Sequence, residues 1–412
     1  MPIPLPKSVR AKLENSIAEC LRESRIMSGA IFSLSTNAWQ LHRIVPKGSQ
    51  TDTALEQWLG DRHVSDFVQS ETPGRAVGKW DPERGVDSFT DIFGEKAPRE
   101  WAAELVVKLE TLPWQYVAYA PLPGKISPKL LNHSNVSLTP TLEVVTGSSI
   151  ADDSTIGKNW SGRSGHALNG FSWRPDILYT KLEFDGYVAK NGNSDSAHQA
   201  MHRMLSLYGM ALAIRLLSYH SWSPPTDPPI FYALGIFHSD AESERHVTNV
   251  AFDHAHTTQF ENLFHRSPNS NGAPTEFEGK LRELGRALSR ADARLINASR
   301  WYFDSHCGAS DQVRFVQVCT ALEVLLGDEG QGKETGLSTL MANRCAYLLG
   351  NSEVARRNII SAFKKGYQIR SKIVHTGKNK LSSEESDMLH YMQQLCASII
   401  KKECDELISL SN

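Results

Sequence analysis

Residues 352–377 read SEVARRNIISAFKKGYQIRSKIVHTG, and this stretch decides the fold that we expect for the C-terminal third of the chain. Apolar residues recur in it at steps of three and four, which is typical of one face of an α-helix. Ser352 is a suitable N-cap and Gly377 a suitable stop, so we predict a helix over 352–376. One face of this helix is predicted to carry Ile360, Phe363, Tyr367, Arg370 and Val374.

The same helical pattern extends over the rest of the C-terminal third. No proline occurs between residues 280 and 410, and amphipathic segments end at glycines such as Gly327 and Gly350. The predicted helices cover 280–306, 311–327, 336–350, 352–376 and 383–409. We therefore expect residues 276–412 to form an all-helical domain that begins after the polar loop 265–279.

The first 275 residues have a different composition and contain most of the prolines, glycines and tryptophans. Short runs rich in Ile, Val, Phe and Tyr predict strands. These runs are GAIFSLS (29–35), QYVAYAPL (115–122), TLEVVTG (141–147), ILYTKLEF (177–184) and IFYALGIF (230–237). Helical patterns lie at 97–112 and 195–220, with loops near 121–140, 150–175 and 221–229. The expected fold class is α+β and multidomain: a mixed α/β region over 1–275, in one or two subdomains, followed by an all-α bundle.

Length and composition indicate an ordinary globular protein. A chain of 412 residues with 40% hydrophobic and 22% charged residues is long enough for two or three domains. The beginning of the chain lacks the apolar core of a signal peptide, and we expect no membrane span. The six cysteines form no CxxC motif, which favours reduced thiols and a cytoplasmic location.

Arg370 and His375 are the strongest candidates for chemistry. Arg370 continues an apolar stripe, where a charge needs a carboxylate, a phosphate or a partner surface. His375 follows five residues later, so on a straight helix the two side chains diverge by about 140°. A complete site therefore needs either a helix that unwinds at Thr376-Gly377 or a cleft between two copies of the motif.

The helix that carries this pair is strongly basic, although the net charge of the whole chain is only −2. Residues 352–380 contain Arg356, Arg357, Lys364, Lys365, Arg370, Lys372, Lys378 and Lys380 against the single acid Glu353. Such a surface suits a phosphate backbone, and we expect RNA contacts from Lys364, Lys365, Lys372 and Lys378. A purely solvated helix face is the alternative interpretation.

Three segments carry a family resemblance. ALEVLLG (321–327), STLMANRCAYLLG (338–350) and KKGYQIRSKIVHTG (364–377) together resemble the C-terminal helical domain of the HEPN superfamily, in particular its ApeA-like branch. The family signature is an arginine, four to six residues and a histidine, which here reads Arg370-Ser-Lys-Ile-Val-His375. Many members carry Asn, Asp or His after the arginine, whereas this chain has Ser371, so a supporting role for that residue is less defined. The resemblance covers roughly residues 280–410.

The resemblance implies a metal-independent endoribonuclease that acts as a homodimer and uses no cofactor. Arg370 and His375 would be catalytic, and the products would carry a 2′,3′-cyclic phosphate and a 5′-hydroxyl. Proteins of this kind often act in bacterial defence against phage, so residues 1–275 are expected to be a sensor or binding region for a trigger. The alternative is a non-catalytic nucleic-acid-binding or dimerisation scaffold that uses the same fold.

Several residues around the pair are expected to support it. Glu323 and Arg344 are charges in otherwise apolar helical segments, so Glu323 is predicted to pair with Arg344 or Arg370. Such a pair could orient the site or only tie two helices together. Tyr367 could stack on a base or fill the core.

Two further motifs are weaker. GDEGQGKET (327–335) has the spacing of a phosphate-binding loop but lacks its Ser/Thr and a preceding strand. A second cluster comprises His238, His246, His254, His256 and His265 with Asp240 and Asp253. His254 and His256 could chelate a metal if they lay on a strand, which would make the protein a metalloenzyme; otherwise these are surface or core histidines.

Overall fold

The computed structural model describes residues 3–76, 78–124, 126–152, 174–219, 230–240, 243–265, 273–327 and 336–410. Contacts between Cα positions divide the chain into two compact units. Unit 1 consists of Met1–Val117, Glu183–Ala200 and Gly235–Val250, and unit 2 of Ala118–Leu182, Met201–Leu234 and Ala251–Asn412. The protein is mixed α and β, with a helical C-terminal region.

Unit 1 is built from short helices and strands around one apolar core. Its helices are α1 Lys7–Arg22, a 3₁₀ helix Thr36–Ile44, α2 Gln50–Leu59, α3 His63–Glu71, α4 Pro73–Ala76, a 3₁₀ helix Pro82–Arg84, α5 Phe89–Phe93 and α6 Ala97–Glu110. Its short strands β1 Arg25–Met27, β2 Ile31–Ser33 and β3 Val86–Ser88 form an antiparallel sheet in the order β2-β1-β3. α1 packs along α6, and both bury apolar residues at helical spacing. These are Leu13, Ile17 and Leu21 on α1 and Ala102, Leu105 and Leu109 on α6.

The longer strands form one six-stranded sheet in the order β10-β9-β4-β7-β6-β5. They are β4 Trp114–Pro121, β5 Asn135–Thr139, β6 Leu142–Thr146, β7 Leu178–Gly186, β9 Ala233–Asp240 and β10 Ser243–Ala251. β6 runs antiparallel to β5 and β7, so that Val144 lies opposite Val136 and Thr180. β8 Leu217–Tyr219 pairs separately with β11 Leu263–His265. Each of the five predicted strand segments contains an observed strand, so those predictions are confirmed.

Nine helices follow β6 in the described part of the chain. They are α7 Gly147–Asp152, α8 Asp195–Ala213, α9 His254–Asn262, α10 Ala273–Leu288, α11 Ala293–Cys307, α12 Asp311–Leu326, α13 Leu337–Leu349, α14 Glu353–Thr376 and α15 Ser383–Ser409. Side-chain caps begin several of them, since the hydroxyls of Ser310, Ser352 and Ser382 accept bonds from backbone N–H groups of the first turn. The predictions of helices over 311–327, 336–350, 352–376 and 383–409 are confirmed.

Two predicted helices are wrong in their extent. The segment 280–306 is two helices, because Asp292 accepts a hydrogen bond from the backbone N of Leu295 at 2.8 Å and begins α11 as its N-cap. The segment 195–220 stays helical only to Ala213. There Arg215 adopts φ +63°, a left-handed conformation that a helix cannot continue, and the chain enters β8.

The division into units does not fall at residue 275. The independent folding of residues 276–412 therefore stays a prediction, and each unit is considered by itself below. The predicted loop 221–229 and the phosphate-loop motif at 328–335 lie outside the described residues, as does 153–173 of the predicted loop 150–175. In the described part of the chain, no helix combines the length and the apolar character needed to cross a membrane.

Two helical glycines of unit 2 allow a test of how closely its helices pack. A Cβ on Gly209 of α8 would lie 1.9 Å from the carbonyl oxygen of Ser299 in α11, whereas one on Gly279 of α10 would meet no atom within 4 Å. We expect Gly209→Ala to destabilise the protein by about 1–3 kcal/mol, because a backbone atom must move. Gly279→Ala should stabilise it by about 0.5–1 kcal/mol through higher helix propensity.

Thermal unfolding of both variants and the wild type provides the measurement. The two midpoints should shift in opposite directions. A Gly209→Ala midpoint at or above that of the wild type would contradict the close approach of α8 and α11.

Candidate active site

The candidate residues of the Arg370 site lie on three packed helices of unit 2. α14 packs against α12, α13 and α15, and α12 also packs against α13. Glu323 lies in the last turn of α12, Arg344 lies on α13, and Tyr367 and Arg370 lie on α14. The fold therefore brings Glu323 beside the Arg370 segment of the chain, although nearly fifty residues separate them in sequence.

The buried face of α14 differs from the predicted one. Its buried residues are Ile359, Phe363, Gly366, Ile369 and Ile373. Val374, which was predicted on this face, is 49% exposed, so that prediction is wrong. Gly366 lies in the middle of this buried stripe, and there Met392 of α15 packs so closely that a Cβ would lie 2.7 Å from its sulfur. The buried stripe is rotated toward this glycine, and Arg370 is left at its edge.

Arg370 forms an ion pair with Glu323. Its Nη2 lies 3.4 Å from Glu323 Oε1, and both side chains are about 30% exposed, at 30% and 27%. The Nε atom of Arg370 is buried and donates no hydrogen bond to any residue that the structure describes. The carboxylate thus fixes one edge of the guanidinium, and the side chain, which is 30% exposed, stays partly open to an acceptor such as a phosphate oxygen.

Arg344 has a different position. Its Nη1 donates to the carbonyl oxygen of Leu326 at 2.8 Å, which satisfies the C-terminal end of α12. Of the two pairings proposed for Glu323, the structure forms the one with Arg370.

Tyr367 lies between α14 and α12. Its hydroxyl donates to the carbonyl oxygen of Cys319 at 3.2 Å, and its ring stacks on Phe363 with centroids 5.0 Å apart. Burial, reinforced by the nearby Cys319 and Glu323, raises the pKa of Tyr367 well above its usual value. The hydroxyl therefore stays a neutral donor, and the ring is part of the helical packing.

His375 lies on the exposed side of the last turn of α14. The helix is regular through Thr376 and ends at Gly377, which adopts the left-handed φ of +62°. Of the two alternatives for completing the site, the structure therefore does not contain the unwound helix end at Thr376-Gly377. On this regular helix, Arg370 and His375 point about 140° apart, so one copy of α14 does not bring the two side chains together.

The basic surface is partly neutralised by the following helix. Lys378 Nζ lies 2.6 Å from both carboxylate oxygens of Glu385, and Lys365 Nζ lies 3.7 Å from Glu384. Lys364, Lys372 and Ser371 are exposed. Sequence reasoning missed Glu385 as a partner, although a glutamate three residues after Ser382 is the usual signal of a capping box, which the structure contains.

The histidine cluster does not form the arrangement considered for a metal site. Asp253 is the N-cap of α9, so His254 and His256 lie in a helix and not on a strand. His256 Nε2 lies 2.9 Å from Asp304 Oδ1. Burial alone would lower the pKa of His256, but the bond to Asp304 and its charge outweigh this and raise it. Within the described ranges, no three His, Cys, Asp or Glu residues are grouped so that they could hold a metal ion.

Comparisons of the chain with protein-family models, curated proteins and solved structures gave no significant match. The assignment of a function to this helical site therefore depends on its own geometry and on the resemblance carried by the three segments quoted above.

The ion pair between Lys378 and Glu385 predicts a pH dependence of stability. Hydrogen bonds from Lys378 and from the backbone of Ser382 lower the pKa of Glu385 below its usual 4.5. A carboxyl whose pKa is lower in the folded state stabilises that state above the unfolded pKa, and this contribution is lost as the pH falls through the folded value. Glu385→Gln should therefore lower the melting temperature by about 2–4 °C at pH 7 and have little effect near pH 3.

The matched control is Glu384→Gln. The side chain of Glu384 is 84% exposed, so its charge should contribute little to stability at either pH. Equal effects of the two substitutions at pH 7 would show that the pair with Lys378 is not a stabilising contact.

Proposed function

We propose that the helical C-terminal region is a metal-independent endoribonuclease, with Arg370 and His375 as its catalytic residues. The observation that carries this proposal is the half-buried guanidinium of Arg370. Glu323 holds one side of it at 3.4 Å, and 30% of the Arg370 side chain remains exposed. The exposed part of a guanidinium held in this way can donate to the oxygens of a phosphate.

The chemistry of RNA cleavage suits the two side chains. The 2′-hydroxyl must lose a proton as its oxygen attacks phosphorus, and the departing 5′-oxygen must gain one. A histidine imidazole can make both transfers near neutral pH, and an arginine can stabilise the additional negative charge on the phosphate. The products would be a 2′,3′-cyclic phosphate and a 5′-hydroxyl.

A homodimer completes the proposed site. Because Arg370 and His375 diverge on a regular helix, we expect two copies of α14 to face each other, so that residues from both copies line one cleft. In such a dimer the side chain of Val374, which precedes His375 and is 49% exposed, would be covered by the second copy. The positioning residue would be Glu323, with Tyr367 and Arg344 holding the surrounding helices in place.

The biological role that we propose is a regulated, cytoplasmic effector of bacterial defence against phage. It follows from the HEPN resemblance. In this proposal the region before residue 276 binds the trigger.

Cleavage of purified total RNA in the presence of EDTA tests the catalytic residues. Arg370→Ala and His375→Ala should each lower the cleavage rate at least about 100-fold, since each removes a group needed in the transition state. The controls are Arg357→Ala and His390→Ala, which remove an exposed arginine of α14 and an exposed histidine of α15. If the catalytic variants cut RNA as fast as the controls, the proposed pair is wrong.

The proposed RNA surface gives a separate expectation. Lys372 is exposed, whereas Lys378 is held by Glu385. Lys372→Gln should therefore weaken RNA binding by the catalytically silent His375→Ala protein. It should also reduce by roughly one the slope of the logarithm of the binding constant against the logarithm of the salt concentration. Lys378→Gln should change binding less and stability more. A filter-binding titration at several salt concentrations measures both effects, and the reverse order would contradict the assignment.

One observation favours the second candidate, a nucleic-acid-binding or dimerisation scaffold without activity. Four basic residues between 352 and 380 already lie beside carboxylates, namely Arg357, Lys365, Arg370 and Lys378. A protein that binds RNA and dimerises but leaves every RNA intact would establish this alternative.

A further inference from the structure

Unit 1 contains an open cleft that is separate from the helical site. Its volume is about 430 Å³, and its lining includes Glu71, Lys108, Trp114 and His238. Ligand sites for small molecules usually enclose about 300–1,000 Å³ and combine apolar walls with a few fixed polar groups. The size and the mixed lining of this cleft fit that description.

The charged group in the cleft is centred on Glu71, which is only 6% exposed. The ammonium groups of Lys108 and Lys190 both lie 3.5 Å from the same oxygen, Glu71 Oε2. Two lysines against one carboxylate leave a net charge of one positive unit. The side chains of Lys108 and Lys190 are 42% and 45% exposed, so both lysines remain accessible from solvent. They can therefore receive an anion in addition to the carboxylate between them.

The other carboxylate oxygen of Glu71 accepts a hydrogen bond from a buried tyrosine. The hydroxyl of Tyr187 donates to Glu71 Oε1 at 3.2 Å, and burial together with Glu71 raises the pKa of that tyrosine, so it remains a donor. Ser70 Oγ accepts a hydrogen bond from the backbone N of Lys190 at 2.9 Å. These contacts fix the two segments that carry Glu71 and Lys190, so that the charged group is preorganised.

Two aromatic side chains line the cleft beside this group. The rings of Trp114 and His238 lie with centroids 5.3 Å apart and are inclined by 57°, so a planar ligand can lie flat on only one of them. The indole Nε1 of Trp114 donates to Thr111 Oγ1 at 2.8 Å. The hydroxyl of Thr111 in turn donates to the carbonyl oxygen of Lys108 at 2.7 Å. This chain of bonds ties the indole to the backbone of Lys108, a residue that lines the same cleft. A ring bound against Trp114 could therefore direct an anionic substituent toward Lys108.

We propose that this cleft binds a ligand of mononucleotide size, with its planar base against Trp114 and close to His238, and its phosphate beside Lys108 and Lys190. The neighbouring Gln115 and Ser239 offer polar groups to the edge of the base. Glu71 keeps the two lysines in place in the free protein and limits the affinity, because its own charge repels the phosphate. This site is independent of the ribonuclease proposal.

Isothermal titration calorimetry on the full chain tests the proposal. The probes are the four ribonucleoside monophosphates and triphosphates, with adenosine and inorganic phosphate as fragments. At least one nucleotide should bind with a dissociation constant below about 1 mM, and each fragment at least about tenfold more weakly, since each lacks one of the two contacts. No binding by any nucleotide below that concentration would overturn the proposal.

Three variants and one control then locate the site. Lys108→Gln and Lys190→Gln should each weaken binding about tenfold through loss of one charged contact. Glu71→Gln should strengthen it, because the amide oxygen can still accept the bond from Tyr187 while the negative charge is removed. Lys12→Gln changes an exposed lysine of α1 and should have no effect.

Melting temperatures of the same proteins separate unfolding from loss of binding. Nucleotide binding that is unchanged in both lysine variants, or that is lost in a fully folded Glu71→Gln protein, would contradict the assignment. No RNA is present in this experiment, so its outcome does not depend on whether residues 276–412 cut RNA.

Discussion

The packing of Gly366 against Met392 is the constraint on which the helical site depends. The absence of a side chain at this position lets Met392 of α15 pack closely on α14, and Gly366 lies in the stripe of α14 that is buried together with Ile359, Phe363, Ile369 and Ile373. Arg370 then falls at the edge of the buried stripe, within reach of Glu323, and His375 falls on the exposed side. A rotation of α14 by one residue, about 100°, would change the exposure of both Arg370 and His375.

This placement has a direct chemical consequence. A guanidinium at the edge of a core keeps its partner carboxylate on one side and can offer donors on the other, so that it is neither a solvated surface charge nor a closed ion pair. The regular end of α14 keeps His375 about 140° away from it. In the proposed ribonuclease, a second copy of the helix would bring an arginine and a histidine together.

The two units present contrasting electrostatic arrangements. In unit 2, the acids of α15 neutralise part of a basic helix, and Lys378 and Lys365 lie close to carboxylates. In unit 1, a single buried acid, Glu71, holds two lysines that stay largely exposed. The first arrangement reduces the positive surface that the sequence predicts, whereas the second creates a positive cleft from residues that are far apart in the chain.

The sequence by itself determined the helix limits at Gly327, Gly350 and Gly377, because a helix stop is a local property of the backbone. It also determined the five strands and the candidate residues Arg370 and His375. It placed the break at Asp292 and the end of α8 less well, since the helical periodicity continues through both. The relation of Glu323 to Arg370, the exposure of Val374 and the cleft around Glu71 arose only in the tertiary structure. Each of these depends on which distant side chains pack together, and spacing along one segment carries no information about that.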